Sequence, residues 1–139
     1  MNTTFNYQSG KSICIIEYKG ISFCGEAQCH PQDEDFESER TGLQIAEIRA
    51  NIKVLQFRRD TEIKPQIKIL THLLKNIQSS KNHNPKAYES IMIKKQLKAL
   101  NTDLAEINKV IADEKAYLKN YIDKKDAFYI KLRTKRDNI

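Results

Sequence analysis

The chain has 139 residues, with 24 Lys and Arg against 18 Asp and Glu, 8% aromatic residues and no Trp. That is room for one modest core and suits solvated helices, while four Gly and three Pro are too few for an all-β fold rich in turns. No apolar run approaches the roughly 18 residues of a membrane span. Residues 1–10 also lack the apolar stretch of a signal peptide, so a cytoplasmic location with reduced thiols is expected. Three cysteines exclude a complete disulfide framework.

Charge is unevenly divided. Residues 1–40 carry three cations against seven carboxylates, a net −4, which leaves 21 against 11, or +10, for the rest. One domain spanning 1–139 is expected, with an acidic β-hairpin and metal loop over 1–40 and a basic helical hairpin over 41–139. A basic body attracts nucleic acid or an acidic protein face, although lysine-rich helices are also simply soluble.

In chain order, Ser12–Tyr18 and Ile21–Cys24 are strand-like and flank Gly20, which predicts a β-hairpin. A three-residue Tyr18-Lys19-Gly20 loop would set Cys14 opposite Cys24. A two-residue Lys19-Gly20 turn would set Cys14 opposite Gly25. The first is expected, because Lys is a poor opening residue for a type I′ turn. Helix one is predicted to begin between Asp35 and Gly42, with Thr41 and Gln44 as a capping-box pair. Ile45, Ile48, Ile52 and Leu55, then Ile63, Ile67, Leu70, Leu74 and Ile77, form its apolar stripe, and Pro65 should kink or break it.

Residues 79–84 read as a loop, and Asn84-Pro85 as a helix start. Helix two shows the cleanest pattern in the chain. Ile93, Leu97, Leu100, Leu104, Ile107, Ile111, Leu118, Tyr121, Phe128 and Leu132 sit on one heptad grid, interrupted at Glu114 and Lys125. A short connection makes the helices antiparallel, with Leu55 near Val110 and Ile45 near Tyr121. The cluster Tyr121, Ile122, Phe128, Tyr129 and Ile130 is expected to supply the core for Ile15, Ile21 and Phe23.

One constellation carries chemistry. Cys24, Cys29 and His30, with Cys14 brought in by the hairpin register, make a Cys₃His set suited to structural zinc, and Asp33 or Glu34 is a reserve ligand. The plainer reading makes Cys14 and Cys24 small buried residues and His30 a surface residue. Crowding of all three thiols with a His into residues 14–30 favours metal. Cys29-His30 as nucleophile and base is the weaker reading, because adjacent residues rarely reach the needed geometry. No phosphate loop is present, and no enzymatic activity is expected. The run Asp33 to Glu39 reads as a solvated segment beside a helix start. Lys131–Arg136 reads as helix-end basic residues or a phosphate contact.

The stretch from Tyr18 to Ala50, with F-C-G-E-A-Q-C-H-P, D-E-D-F-E-S-E and T-G-L-Q-I-A-E-I-R-A, resembles small proteins of Gram-positive phages and prophages, streptococcal ones especially. In size, basic helical character and Cys/His content the chain is also similar to a metal-binding anti-CRISPR inhibitor of the type II-A CRISPR effector nuclease. The resemblance implies a stoichiometric protein inhibitor in the bacterial host cytoplasm that blocks target-DNA loading, with zinc structural on Cys24, Cys29 and His30. Lys124, Lys125, Lys131 and Arg133, on the overhanging end of helix two, are the expected partner contacts. The rival reading is a phage nucleic-acid-binding or regulatory protein that uses the basic helical face directly.

Overall fold

A computed structural model describes residues 1–28, 39–80 and 87–138. The protein is mostly helical, with an N-terminal three-stranded antiparallel sheet followed by helices. Strands β1 (Asn2–Gln8), β2 (Lys11–Tyr18) and β3 (Ile21–Gln28) form a meander in the order β1-β2-β3. β1 lies outside the elements expected from the sequence. Its signals were a period-two alternation of Thr3, Phe5 and Tyr7 and the pair Ser9-Gly10, which recurs ten residues later as Lys19-Gly20.

Both connections are two-residue turns with positive φ at each position: 52° and 78° at Ser9 and Gly10, 51° and 77° at Lys19 and Gly20. This left-handed pair is the type I′ geometry, whose twist matches that of the strands. Cys14 therefore faces Gly25, and Ile15 faces Cys24, which overturns the expected three-residue loop. The reason lies in the face each register buries, since a slip of one residue exchanges the two faces of a strand. As folded, Ser12, Cys14 and Ile16 share a buried face with Gly25 and Ala27. Placing Lys19 in a left-handed conformation costs about 1–2 kcal/mol. Burying this face offsets that cost.

Helix α1 (Glu39–Arg58) covers the buried face. It starts ahead of Thr41, which lies buried inside it, so the expected capping box does not open this helix; the earlier candidate Asp35 lies outside the described residues. Gly42, Ala46, Ala50 and Val54 recur every four residues and so share one stripe. Cys14, Ile16 and Ala27 from the sheet join Ala46, Ala50 and Val54 in one core, flanked by Tyr18, Phe23 and Ile45. A Cβ on Gly25 would lie 2.5 Å from the Ala50 amide nitrogen and closer still to the Ala46 carbonyl oxygen. Sheet backbone and helix backbone are thus in direct contact.

The aromatic end of helix two does not supply this core. Ile15 and Ile21 are 37% and 44% exposed, and Phe128 and Ile130 are 53% and 52% exposed. The register turns Ile15 to the outer face of the sheet, where α1 cannot reach it.

The chain divides into two compact units, Met1–Val54 with Ile111–Ile139, and Leu55–Val110. In the first, the Tyr121 hydroxyl donates to Gln44 Oε1 at 3.0 Å. In the second, α1 ends and a π-helical turn, Arg59–Ile63, leads into α2 (Lys64–Gln78). The Lys64 amide donates to the Arg59 carbonyl five residues back. Pro65 has no amide donor, and its ring would crowd the carbonyl four residues earlier. The wide turn ahead of it absorbs the mismatch that predicted a kink. Arg59 Nη1 also donates to Asn108 Oδ1 at 3.3 Å.

Helix α3 (Tyr88–Asp137) buries Ile93, Ile107 and Ile111 and half-buries Leu97, Leu100, Leu104, Leu118, Tyr121 and Leu132. Its heptad grid is therefore its inner face, with Phe128 as the exposed exception. The Asn84-Pro85 start and most of the expected loop lie outside the described residues. No described helix is long and apolar enough to cross a membrane.

Two substitutions test the register. Gly25→Ala should lower stability by about 1–3 kcal/mol through overpacking against α1 backbone. Lys19→Asn should raise it by a few tenths of a kcal/mol or more, because Asn-Gly suits a type I′ turn. Thermal and urea unfolding measure both, and a neutral Gly25→Ala would contradict the close approach.

Candidate functional site

The expected metal set is divided by the fold. Cys14 lies under α1 with 0% exposure. Burial, reinforced by the charges of Glu47 and Cys24, pushes its thiol above the ordinary range, whereas zinc binds the thiolate. Cys24 points to the other face of the sheet, opposite Ile15 and half-buried, with its sulfur 3.9 Å from Glu26 Oε1. Cys14 therefore does not join Cys24 in one site.

Cys29, His30, Asp33 and Glu34 lie outside the described residues. Among the described residues no three His, Cys, Asp or Glu side chains come together as a metal site.

The carbonyls of Cys24 and Glu26 are held from α1. Lys53 Nζ donates to the Cys24 carbonyl at 2.6 Å and Arg49 Nη1 to the Glu26 carbonyl at 2.7 Å. Neither residue is among the expected site residues, and α1 spacing is their only trace in the sequence: Arg49 and Lys53 are one turn apart and flank Ala50. They block the outer edge of β3 against pairing with another strand.

The expected partner contacts near the end of α3 are mixed in charge. Lys124 and Lys131 are exposed. The Lys125 ammonium lies 5.5 Å from the Tyr121 ring centroid, and Arg133 is half-buried and engaged with a neighbour. From Asp103 to Asp137, nine Lys and Arg meet seven carboxylates.

The basic concentration lies elsewhere. From Ile63 to Thr102 eight lysines meet one carboxylate, Glu89, a net +7 that exceeds the +6 of the whole chain. Six of these, Lys64, Lys68, Lys75, Lys94, Lys95 and Lys98, are described and exposed. Lys64 pairs with Asp60 at 3.5 Å, and among the described residues none of the other five has a carboxylate within ion-pair reach. This cluster was countable in the sequence, but dividing the charge at residue 40 averaged it into the whole helical body.

No protein-family model, curated protein or solved structure matches the chain.

Thiol chemistry and metal content test the divided site. In a Cys29→Ser background, native protein should show one readily alkylated thiol, Cys24, with Cys14 reacting only on unfolding. The folded state keeps the Cys14 proton when the unfolded chain has lost it. Stability should therefore fall as pH rises through the ordinary thiol range, and less so in Cys14→Ala. Metal analysis tests the rest of the set: about one zinc per chain, lost in Cys24→Ser but kept in Cys14→Ala, would place Cys24 and not Cys14 among the ligands, and no zinc would leave Cys24 an ordinary thiol.

Proposed function

We propose that this chain is a binding protein rather than an enzyme, and that it acts by seating basic helices on a nucleic-acid-bearing partner. The observation that carries this reading is the distribution of charge. The acid-poor stretch Ile63–Thr102 holds the entire net positive charge, its described lysines are exposed, and five of the six lack a carboxylate counterion among the described residues. Such a surface is an electrostatic footprint for a polyanion.

The similarity in size, basic helical character and Cys/His content to a metal-binding anti-CRISPR inhibitor gives the partner its sharpest form: a guide-RNA-loaded type II-A CRISPR effector nuclease, held off target DNA by a stoichiometric inhibitor. A net-positive inhibitor does not mimic DNA in a basic channel. It would contact the guide RNA or an acidic lobe instead. The helices are read as an antiparallel hairpin, supported in each unit separately by a hydrogen bond between the first helical stretch and α3, Gln44 with Tyr121 and Arg59 with Asn108. Zinc enters this reading only as a structural ion on Cys24, Cys29 and His30. The same charge distribution also favours a second reading, a phage regulatory protein that binds nucleic acid by itself.

A cleavage assay separates the two. Added at equal concentration to guide-loaded nuclease before target DNA, the purified protein should abolish cleavage. Full cleavage, together with nucleic-acid binding in the absence of any nuclease, would discard the inhibitor and leave the regulatory reading.

A further inference from the structure

We infer that one face of the α2–α3 pair, carrying Lys68, Lys75, Lys94 and Lys98, is a bed for a phosphodiester backbone. The inference rests on the reading that the partner carries nucleic acid, and it replaces the end of α3 as the contact surface.

The placement follows from helix geometry within the unit Leu55–Val110. The half-buried stripe that runs from the π-helical turn through α2 is Ile63, Ile67, Leu70, Leu74 and Ile77. The residues that directly follow its first four members are Lys64, Lys68, Thr71 and Lys75. On α3 the inner stripe begins Ile93, Leu97, Leu100 and Leu104, and the residues that follow are Lys94, Lys98, Asn101 and Ala105. Each set is therefore offset by about 100° in the same winding sense from the stripe it flanks.

The Arg59–Asn108 hydrogen bond joins the two helices at one point. Arg59 lies 19 residues before the last residue of α2, and Asn108 lies 20 after the first residue of α3. A parallel pair would hold those two helix ends about 60 Å apart, beyond the roughly 36 Å that the ten peptides between them can reach, so the two helices run antiparallel. An antiparallel pair packed through its stripes has a two-fold axis normal to the plane of the helices, so equal offsets fall on the same side. Both lysine rows share one face.

The chemistry of that face fits phosphates. Successive lysines on one helix stand about 6 Å or about 10 Å apart along its axis, close to every second or third phosphate of a strand. Thr71 and Asn101 add neutral hydrogen-bonding groups between them. A shallow trough along α3 is lined by Lys94, Lys98, Asn101 and Thr102 over Leu97 and Ala105, with the carboxylate Glu106 at one end. The face carries no Arg, the side chain that grips carboxylates in pairs, which argues against an acidic protein as occupant. A lipid surface fits no better, because the exposed apolar residues Ile69 and Leu73 lie on the other flank of α2.

Anisotropy titrations of the full chain with labelled 20-nucleotide RNA and DNA, single-stranded and duplex, provide the test. Binding should be insensitive to sequence. The logarithm of affinity should fall against the logarithm of salt with a slope of about −3 to −4, as four phosphate contacts require. The combined variant Lys68→Glu, Lys75→Glu, Lys94→Glu and Lys98→Glu should bind at least tenfold more weakly with an unchanged circular dichroism melt. Charge reversal of Lys124, Lys125 and Lys131 should change affinity by less than about twofold. Absence of nucleic-acid binding by the unmodified chain at about 50 mM salt would overturn the inference. So would loss of binding on reversal at the end of α3 alone, or loss of capture of an acidic protein in the four-lysine variant with nucleic-acid binding intact. Nuclease inhibition that survives in the four-lysine variant overturns this surface and leaves the inhibitor reading standing. Binding that depends on the four lysines, without inhibition, does the reverse.

Discussion

The N-terminal unit depends on how closely the backbone of α1 approaches the backbone of the sheet. At Gly25 no side chain intervenes, and a Cβ would meet main-chain atoms of Ala46 and Ala50. One turn before Ala46, Gly42 leaves the matching space for the Ser12 side chain. Rigid main chain on both sides leaves nothing to repack, so this contact admits one register of the sheet and one face of the helix. It explains why the buried residues here are small, with Cys14, Ala27, Ala46 and Ala50 taking positions where most cores of this kind would use larger side chains.

From that contact the role of each cysteine follows. Cys14 is a compact apolar group beneath a helix, its thiol kept protonated by burial. Cys24 takes the other face because strand residues alternate, and its carbonyl is tied to Lys53. The same helix therefore buries one face of β3 and covers its free edge. That disposition suits a structural platform.

Charge separates the two units by character. The sheet and α1 use their cations locally, Arg49 and Lys53 on strand carbonyls and Lys11 beside Glu26 at 3.7 Å. In the Leu55–Val110 unit the Arg59–Asp60 contact at 2.9 Å holds the Asp60 carboxyl below its ordinary range and raises the Arg59 guanidinium. The lysines of α2 beyond Lys64, and those that open α3, have no such neighbours among the described residues. Uncompensated lysines repel one another, and this self-repulsion is relieved when a polyanion binds.

By itself the sequence determined the helices, because a 3.6-residue apolar period needs no partner to be read. The stripes of α2 and α3 and the disturbance at Pro65 were visible there, and the structure refined the latter to a π turn. It also determined the charge, including the lysine-rich run from Ile63 to Thr102. Tertiary structure alone decided the register of the sheet. Both turns were readable from local chemistry, but the choice between them depended on which strand face could meet Gly42, Ala46 and Ala50, residues far along the chain. That choice moved Cys14 away from Cys24 and Ile15 away from the core. Whether lysines from α2 and α3 share a face is likewise a matter for tertiary structure, because it depends on how the two helices pack, which neither helix specifies alone.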